Sequence, residues 1–167
     1  MVMKERLAFF KAENLFHTKF PKNNIFISGD ETGIGRIIDN LIKNSLDAIG
    51  DDGKIKLILE DKKDGFGEPR AVIKIIDNGK GIPSDMMEHI IEPYFSTKKS
   101  GTGLGLAVVN SIVRAHKGNL NISSKEGEGT TVEVSFPQLV NPETENSRII
   151  MLDDDINILK ISKDFFK

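Results

Sequence analysis

The run Gly101-Thr102-Gly103-Leu104-Gly105-Leu106, passing directly into Ala107-Val108-Val109-Asn110-Ser111-Ile112-Val113-Arg114-Ala115, constrains this chain more than any other stretch. Glycine at 101, 103 and 105 removes side chains from alternate positions, so regular structure begins only after the loop. The apolar run that follows predicts a helix over 104–116, with Gly118 as its stop. A bare loop entering a helix exposes backbone N–H groups and the positive end of the helix dipole, which suits an anion such as a phosphate chain. A glycine-rich turn before a helix is common, so two further motifs upstream carry weight.

The clearest helix is predicted over 32–49, after a turn and N-cap candidate at Gly29-Asp30-Glu31-Thr32. At 100° per residue, Ile34, Ile38, Leu41, Ile42, Leu46 and Ile49 fall on one side. Gly33, Arg36, Asn40, Lys43, Asn44 and Asp47 fall on the other. Charges alone would read as a solvated face, but asparagine is a poor helix former beside Lys or Glu. Asn40 and Asn44, four residues apart, point the same way and can share one ligand.

Short strands are expected at Leu15–Phe20, Asn24–Ser28, Lys54–Glu60 and Ala71–Ile76, with a polar loop over Asp61–Arg70. The last of these strands runs into Asp77-Asn78-Gly79-Lys80-Gly81-Ile82-Pro83. Residues 84–100 lack a long apolar period and read as a mobile cover with one short helix near Asp85–Ile91. Strands at Leu120–Ser124 and Thr130–Phe136 flank the hairpin turn Gly127-Glu128-Gly129. Pro137–Ser147 is a linker by composition. Arg148–Leu152 begins a new strand, ending at Asp153-Asp154-Asp155, with a helix expected to follow to Lys167.

With 167 residues the chain holds one domain with a sizeable core and an appendage. A formal net charge of −2, from 23 basic and 25 acidic residues, argues against a nucleic-acid binder. No cysteine is present, which excludes a disulfide scaffold and a zinc–thiolate site and fits a reducing cytoplasm. No run reaches membrane-span length, and Met1-Val2-Met3-Lys4-Glu5-Arg6 lacks a signal-peptide apolar region. Direct membrane contact is not expected of this stretch, although a parent protein could be tethered.

Asp77 at a strand end can accept a hydrogen bond from an exocyclic amine such as that of adenine, and Gly79 and Gly81 let the turn pass beneath a flat base. Asn44 offers a neutral oxygen suited to Mg2+, which takes a few protein oxygens plus phosphates and water. Taken in this order, the set resembles the nucleotide-binding boxes of the superfamily of histidine kinases, Hsp90, gyrase and MutL. Asp39-Asn40-Leu41-Ile42-Lys43-Asn44-Ser45-Leu46-Asp47-Ala48 resembles the N box, and Asp77–Ile82 the G1 box. Glu92-Pro93-Tyr94-Phe95 with Ser96-Thr97-Lys98 resembles the F box, and Gly101–Leu106 the G2 box.

The resemblance covers residues 14–137 and implies an α+β, two-layer sandwich of the Bergerat type, a mixed sheet packed on helices, with ATP and Mg2+ between the helices and a lid. It implies Asn44 as the Mg2+ ligand and catalytic residue, Asn40 as support for phosphates or metal, and Lys43 as a phosphate contact. Asp77 would bind the adenine amine, with Gly79, Gly81 and Ile82 shaping the pocket. Thr130 would reach adenine through water, and reads equally as an ordinary strand threonine. Lys98 would neutralise the terminal phosphates, and reads comparably as a solvated lid charge. Gly101, Thr102, Gly103, Leu104, Gly105 and Leu106 would embrace the triphosphate.

Hydrolytic members place a glutamate general base four residues before the Mg2+-binding asparagine; here Asn40 stands there. That favours a histidine kinase, whose nucleophile lies elsewhere; the alternatives are a hydrolytic ATPase or a serine kinase on the same scaffold, and a nucleotide-gated interaction module that only binds partners. Only 39 residues precede Asn40, and His17, His89 and His116 fit no phosphoacceptor motif, so autophosphorylation of this chain alone is not expected. The implied partners are the histidine-bearing dimerisation domain of a parent kinase and a response-regulator receiver. Arg148–Asp155 resembles the first strand of such a receiver, and fits an acidic helix N-terminus as well. The expected division is a linker or hairpin end at 1–13, the ATP-binding domain at 14–137, a linker at 138–147 and a receiver-like fragment at 148–167, as in a hybrid kinase.

Overall fold

The computed structural model describes residues 15–96, 101–140, 149–152 and 159–161, the last two stretches as backbone. Strand β1 (Phe16–Lys19) is followed by β2 (Ile25–Ser28) and helix α1 (Glu31–Ala48). Then come β3 (Ile55–Lys63), β4 (Pro69–Asp77), helix α2 (Gly105–Ala115), β5 (Asn119–Lys125), β6 (Gly129–Pro137), β7 (Ile149–Leu152) and β8 (Leu159–Ile161). Among the described residues no helix is long and apolar enough to cross a membrane.

The main sheet has five strands in the order β1-β3-β4-β6-β5. It is mixed, because β1 runs parallel to β3 while the remaining neighbours are antiparallel. Ile55, Leu57, Ile73, Ile75, Val132 and Val134 alternate along their strands and point to one face. There they meet Ile34, Ile37, Ile38, Leu41 and Ile42 of α1 and Val109 and Val113 of α2 in a single core. The result is the expected two-layer α+β sandwich. The opposite face is polar: Lys74 bridges Glu133 at 2.9 Å and Glu60 at 3.7 Å. The Glu133 hydrogen bond holds the Lys74 ammonium above its ordinary range, and the Lys62 hydrogen bond holds the Glu60 carboxyl below its own.

Helix α1 starts where Asp30 accepts a hydrogen bond from Gly33 N–H at 2.7 Å. Gly33 lies buried rather than on the polar side, because α2 crosses there: a Cβ on it would stand 3.2 Å from Ile112 Cγ2 and 3.3 Å from His116 Cε1. His116 joins the two helices. Its Nδ1 bonds Ile112 O at 2.8 Å and its Nε2 accepts from Asp30 N–H at 2.9 Å. Both ring nitrogens are thus engaged in holding the fold.

Helix α2 ends at a left-handed residue, but that residue is Lys117, with φ 55°, rather than Gly118. Gly118 serves close packing instead, since a Cβ on it would lie 2.7 Å from Ser135 O.

Three expectations are corrected. The loop at 61–70 shortens to a turn over 64–68, because Asp64 accepts from Phe66 N–H and Glu68 N–H and lets both strands extend to it. The helix expected near Asp85–Ile91 is only a 3-10 turn at Ser84–Met86 followed by further turns. Its residues bury too little surface to offset helix nucleation in so short a piece. The tail has strand β8 where a helix was expected, because Leu159-Lys160-Ile161 alternates with period two and pairs antiparallel with β7. β7 in turn pairs antiparallel with β2, forming a second sheet of order β2-β7-β8.

Candidate functional site

The C-terminal half of α1 and the end of β4 bring the first group of candidate site residues together. Asp77 closes β4, opposite Thr130 of β6 in register, and its residue is only 6% exposed. Its Oδ2 accepts from Ser45 Oγ at 2.9 Å and its Oδ1 accepts from Gly79 N–H at 2.9 Å. A carboxylate offers about four acceptor positions, so capacity for a ligand donor remains.

The turn after Asp77 is fastened on three sides. Lys80 N–H donates to Ala48 O at 3.0 Å, closing the end of α1, and Gly127 N–H donates to Lys80 O at 2.8 Å. Asn78 Oδ1 accepts from Lys54 N–H at 2.6 Å. Two glycines here are demanded by geometry. A Cβ on Gly79 would stand 2.6 Å from Ala48 O. Gly81 has φ +68°, and a Cβ on it would meet Lys125 O at 2.0 Å. Ile82, half-buried, donates its N–H to Ser124 Oγ at 2.9 Å. Thr130 Oγ1 lies 2.9 Å from the same Ser124 oxygen.

The second group lies a turn or two earlier on α1. Asn40 and Asn44 are half-buried and Lys43 is exposed on the same side. Asn40 Nδ2 donates to Arg36 O at 2.7 Å, which turns its Oδ1 outward toward α2. A Cβ on Gly105, the first residue of α2, would lie 3.1 Å from that Oδ1 and 3.9 Å from Asn44 Nδ2. The glycine loop is thereby brought onto the asparagine pair. Among the described residues no side chain caps the N-terminus of α2, which begins beside the asparagine pair. Gly103, with φ +65°, packs under the lid turn, where its carbonyl accepts from Tyr94 N–H at 3.0 Å. Gly101, Thr102 and Leu104 are exposed, and Leu106 leans on the core. Lys98 lies outside the described residues.

Ser45 is the link between the two groups: it follows Asn44 and holds Asp77. Asn40 and Ala48 lie about 12 Å apart along the helix axis. The C-terminal half of α1 therefore sets amide groups beside the start of α2 and, through Ser45, meets the buried carboxylate of β4.

Among the described residues no three His, Cys, Asp or Glu side chains converge on a metal position. A cation beside Asn40 and Asn44 would therefore depend on oxygens brought by an anionic ligand, which is the regime of Mg2+ with phosphates. In the turns that follow β4, His89 Nδ1 pairs with Glu92 Oε1 at 2.9 Å, and that hydrogen bond raises the imidazole above its ordinary pKa.

Sequence reasoning missed Ser45 and Ser124. Ser45 was legible as a lone polar residue four positions after Leu41 on the apolar stripe. Ser124 continues the inward series Leu120 and Ile122 of β5, and only its pairing with Thr130 reveals its use.

A family model described as "Histidine kinase-, DNA gyrase B-, and HSP90-like ATPase" matches residues 29–140. Sporulation kinase A of Bacillus subtilis is 34% identical over 121 residues, covering 72% of this chain and 19% of that protein. Sensor histidine kinase ZraS of Escherichia coli is 39% identical over 111 residues, covering 66% of this chain and 23% of that protein. The chain thus spans about a fifth of the length of these curated relatives. Among solved structures, the mycobacterial sensor histidine kinase MprB superposes with a TM-score of 0.68 at 26% identity, over 81% of this chain and 89% of that one. The nucleotide-free catalytic domain of histidine kinase ThkA gives 0.66 at 27% identity, over 82% and 86%.

Proposed function

The chain belongs to the family of histidine kinase-, DNA gyrase B- and HSP90-like ATPases, and from that premise we propose that residues 14–137 form the ATP-binding catalytic domain of a two-component sensor kinase working in the cytoplasm. In that role it presents the γ-phosphoryl of ATP to a histidine carried by the dimerisation domain of the parent protein. The observation that carries the reading is that the C-terminal half of α1 sets Asn40 and Asn44 beside Gly105 of α2 and, through the next residue, Ser45, holds Asp77 at the end of β4. Such a cleft matches a molecule with an amine-bearing base at one end and a phosphate chain at the other.

Asp77 accepts the 6-amino group of adenine while Gly79, Gly81 and Ile82 leave a flat slot for the ring. Thr130, opposite Asp77, takes part through water. The N–H groups from Gly101 to Leu106 and the dipole of α2 hold the phosphates, with Lys43 and Lys98 as cationic support. The Asn44 amide oxygen, with Asn40 beside it, would hold Mg2+; when bound, the ion neutralises phosphate charge as the γ-phosphoryl departs. The remaining contribution is positioning, since an in-line transfer needs little covalent help from the protein. Asn40 has no basic oxygen to deprotonate water, so ATP is held without being hydrolysed.

Residues 138–147 serve as a linker. We read 148–167 as a receiver-like fragment on the apolar run Arg148–Leu152 leading into Asp153–Asp155 alone; within this chain that strand pairs antiparallel with β2 and β8. That assigns a response-regulator receiver as a second partner.

Calorimetry and labelled ATP test the assignment. The expected result is Mg2+-dependent ATP binding, no phosphate release, no acid-labile label on the chain alone, and label on an added histidine-bearing hairpin. Steady ATP hydrolysis by the chain, or label on His17, His89 or His116, would contradict it.

A further inference from the structure

Ser124 makes three hydrogen bonds with one proton. Its Oγ lies 2.9 Å from Ile82 N, 2.9 Å from Gly129 O and 2.9 Å from Thr130 Oγ1. The Ile82 N–H can only donate and the Gly129 carbonyl can only accept. Ser124 must therefore spend its proton on Gly129 O, because otherwise two oxygens would face each other with lone pairs alone. Its second lone pair is then filled by the Thr130 hydroxyl, which has to be the donor. The direction of every bond in the cluster is fixed by these two backbone groups.

The consequence falls on Thr130. Its single proton is committed to Ser124, so toward the cleft it has lone pairs only. Asp77, its partner in register across β4 and β6, has a carboxylate already receiving Ser45 O–H and Gly79 N–H, and it too accepts. Side chains directly opposite on antiparallel strands stand about 5 Å apart, close enough to act on one edge of a ligand. The base end of the cleft is an acceptor surface.

We propose that Ser124 is a positioning residue for purine selectivity: by holding the Thr130 hydroxyl as a donor toward itself, it leaves the cleft able to welcome a 6-amino purine and averse to a 6-oxo purine. This inference rests on the nucleotide-site reading above. Without Ser124, the Thr130 hydroxyl is free to turn its proton into the cleft and donate to the water through which it meets the base, that water can then offer a proton to a 6-oxo group, and discrimination falls.

The test compares binding of ATP and of inosine triphosphate, its 6-oxo counterpart, to the whole chain in the presence of Mg2+. The parent should prefer ATP. Ser124→Ala should cut the ATP-to-inosine-triphosphate affinity ratio roughly tenfold, the worth of about one hydrogen bond. Ser124→Thr, which restores a hydroxyl on a strand, should recover most of the ratio. Thr130→Val provides a second route should Ser124→Ala fail to fold. It removes the oriented acceptor while leaving Ser124 bonded to Ile82 and Gly129, and it should lower the ratio as well. A parent ratio retained by a folded Ser124→Ala, or retained by Thr130→Val, overturns the proposal. So does an equal loss of both affinities in Ser124→Ala, which marks a role in folding alone. If the parent binds neither nucleotide, the nucleotide-site reading fails and the inference goes with it.

Discussion

Asp77→Asn is the perturbation whose outcome the structure determines most fully. Two donors already converge on the carboxylate, Gly79 N–H on Oδ1 and Ser45 O–H on Oδ2, each at 2.9 Å. An asparagine must place its amide nitrogen on one of these sides. The Gly79 N–H cannot reverse, so nitrogen on that side would set donor against donor. The hydroxyl of Ser45 can rotate and accept, so the nitrogen goes there. Ser45 then turns its proton to a carbonyl of its own helix, as serines on helices do. The fold should lose about 1–2 kcal/mol, because two hydrogen bonds to a charged acceptor become bonds to a neutral amide.

The ligand fares worse. The adenine amine now meets a neutral amide in place of a carboxylate and loses a hydrogen bond to a charged group. That bond is worth about 1.5–3 kcal/mol, or roughly 10- to 150-fold in dissociation constant. Inosine triphosphate should gain relative to ATP, since its 6-oxo group no longer faces a negative carboxylate. Calorimetry with both nucleotides, together with urea unfolding of parent and variant, separates affinity from stability. ATP affinity within threefold of the parent would refute the role given to the carboxylate.

Three other outcomes follow from the geometry. Lys117 sits at φ 55°, where any residue with a Cβ is strained, so Lys117→Gly should raise unfolding free energy by about 0.5–1 kcal/mol in urea titration. His89, paired with Glu92, should titrate above the ordinary histidine value of about 6.5 in NMR, and Glu92→Gln should bring it back down. Because the folded pKa is raised, the pair's support of the lid turn is fully present below the ordinary value and lost as pH rises through the raised one. Deleting residues 149–167 should leave ATP affinity within about threefold, since the assigned contacts all precede Pro137, while lowering stability by about 1–3 kcal/mol because β2 loses its β7 ladder. A tenfold affinity loss on deletion would place the tail in the site.

What the sequence made legible are features that leave a mark on composition. Gly81, Gly103 and Gly129 hold positive φ at points where another backbone crosses, and no other residue fits, so the boxes are readable as spacing. The apolar stripe of α1 and the alternation of β3 and β4 are one-dimensional images of one buried face. The lid was overread, because Asp85–Ile91 has helix-compatible residues but no surface to bury them against. The tail was misread for the opposite reason: the Leu159–Ile161 strand depends on β7, which in turn depends on β2, more than a hundred positions earlier.

Ser124 and His116 were silent for a deeper reason. A serine on a helix or strand has ordinary composition, and its meaning lies in which way one proton points. His116 looked like a surplus histidine, yet it joins the Asp30 cap of α1 to the last turn of α2. Both helices supply the cleft, α1 through Asn40 and Asn44 and α2 through Gly105, so a residue far from the ligand still sets the spacing of the groups that touch it. Residue identity thus announces the groups that contact a nucleotide, whereas the direction of their hydrogen bonds emerges only when the two backbone partners of Ser124, Ile82 and Gly129, are brought together from separate turns.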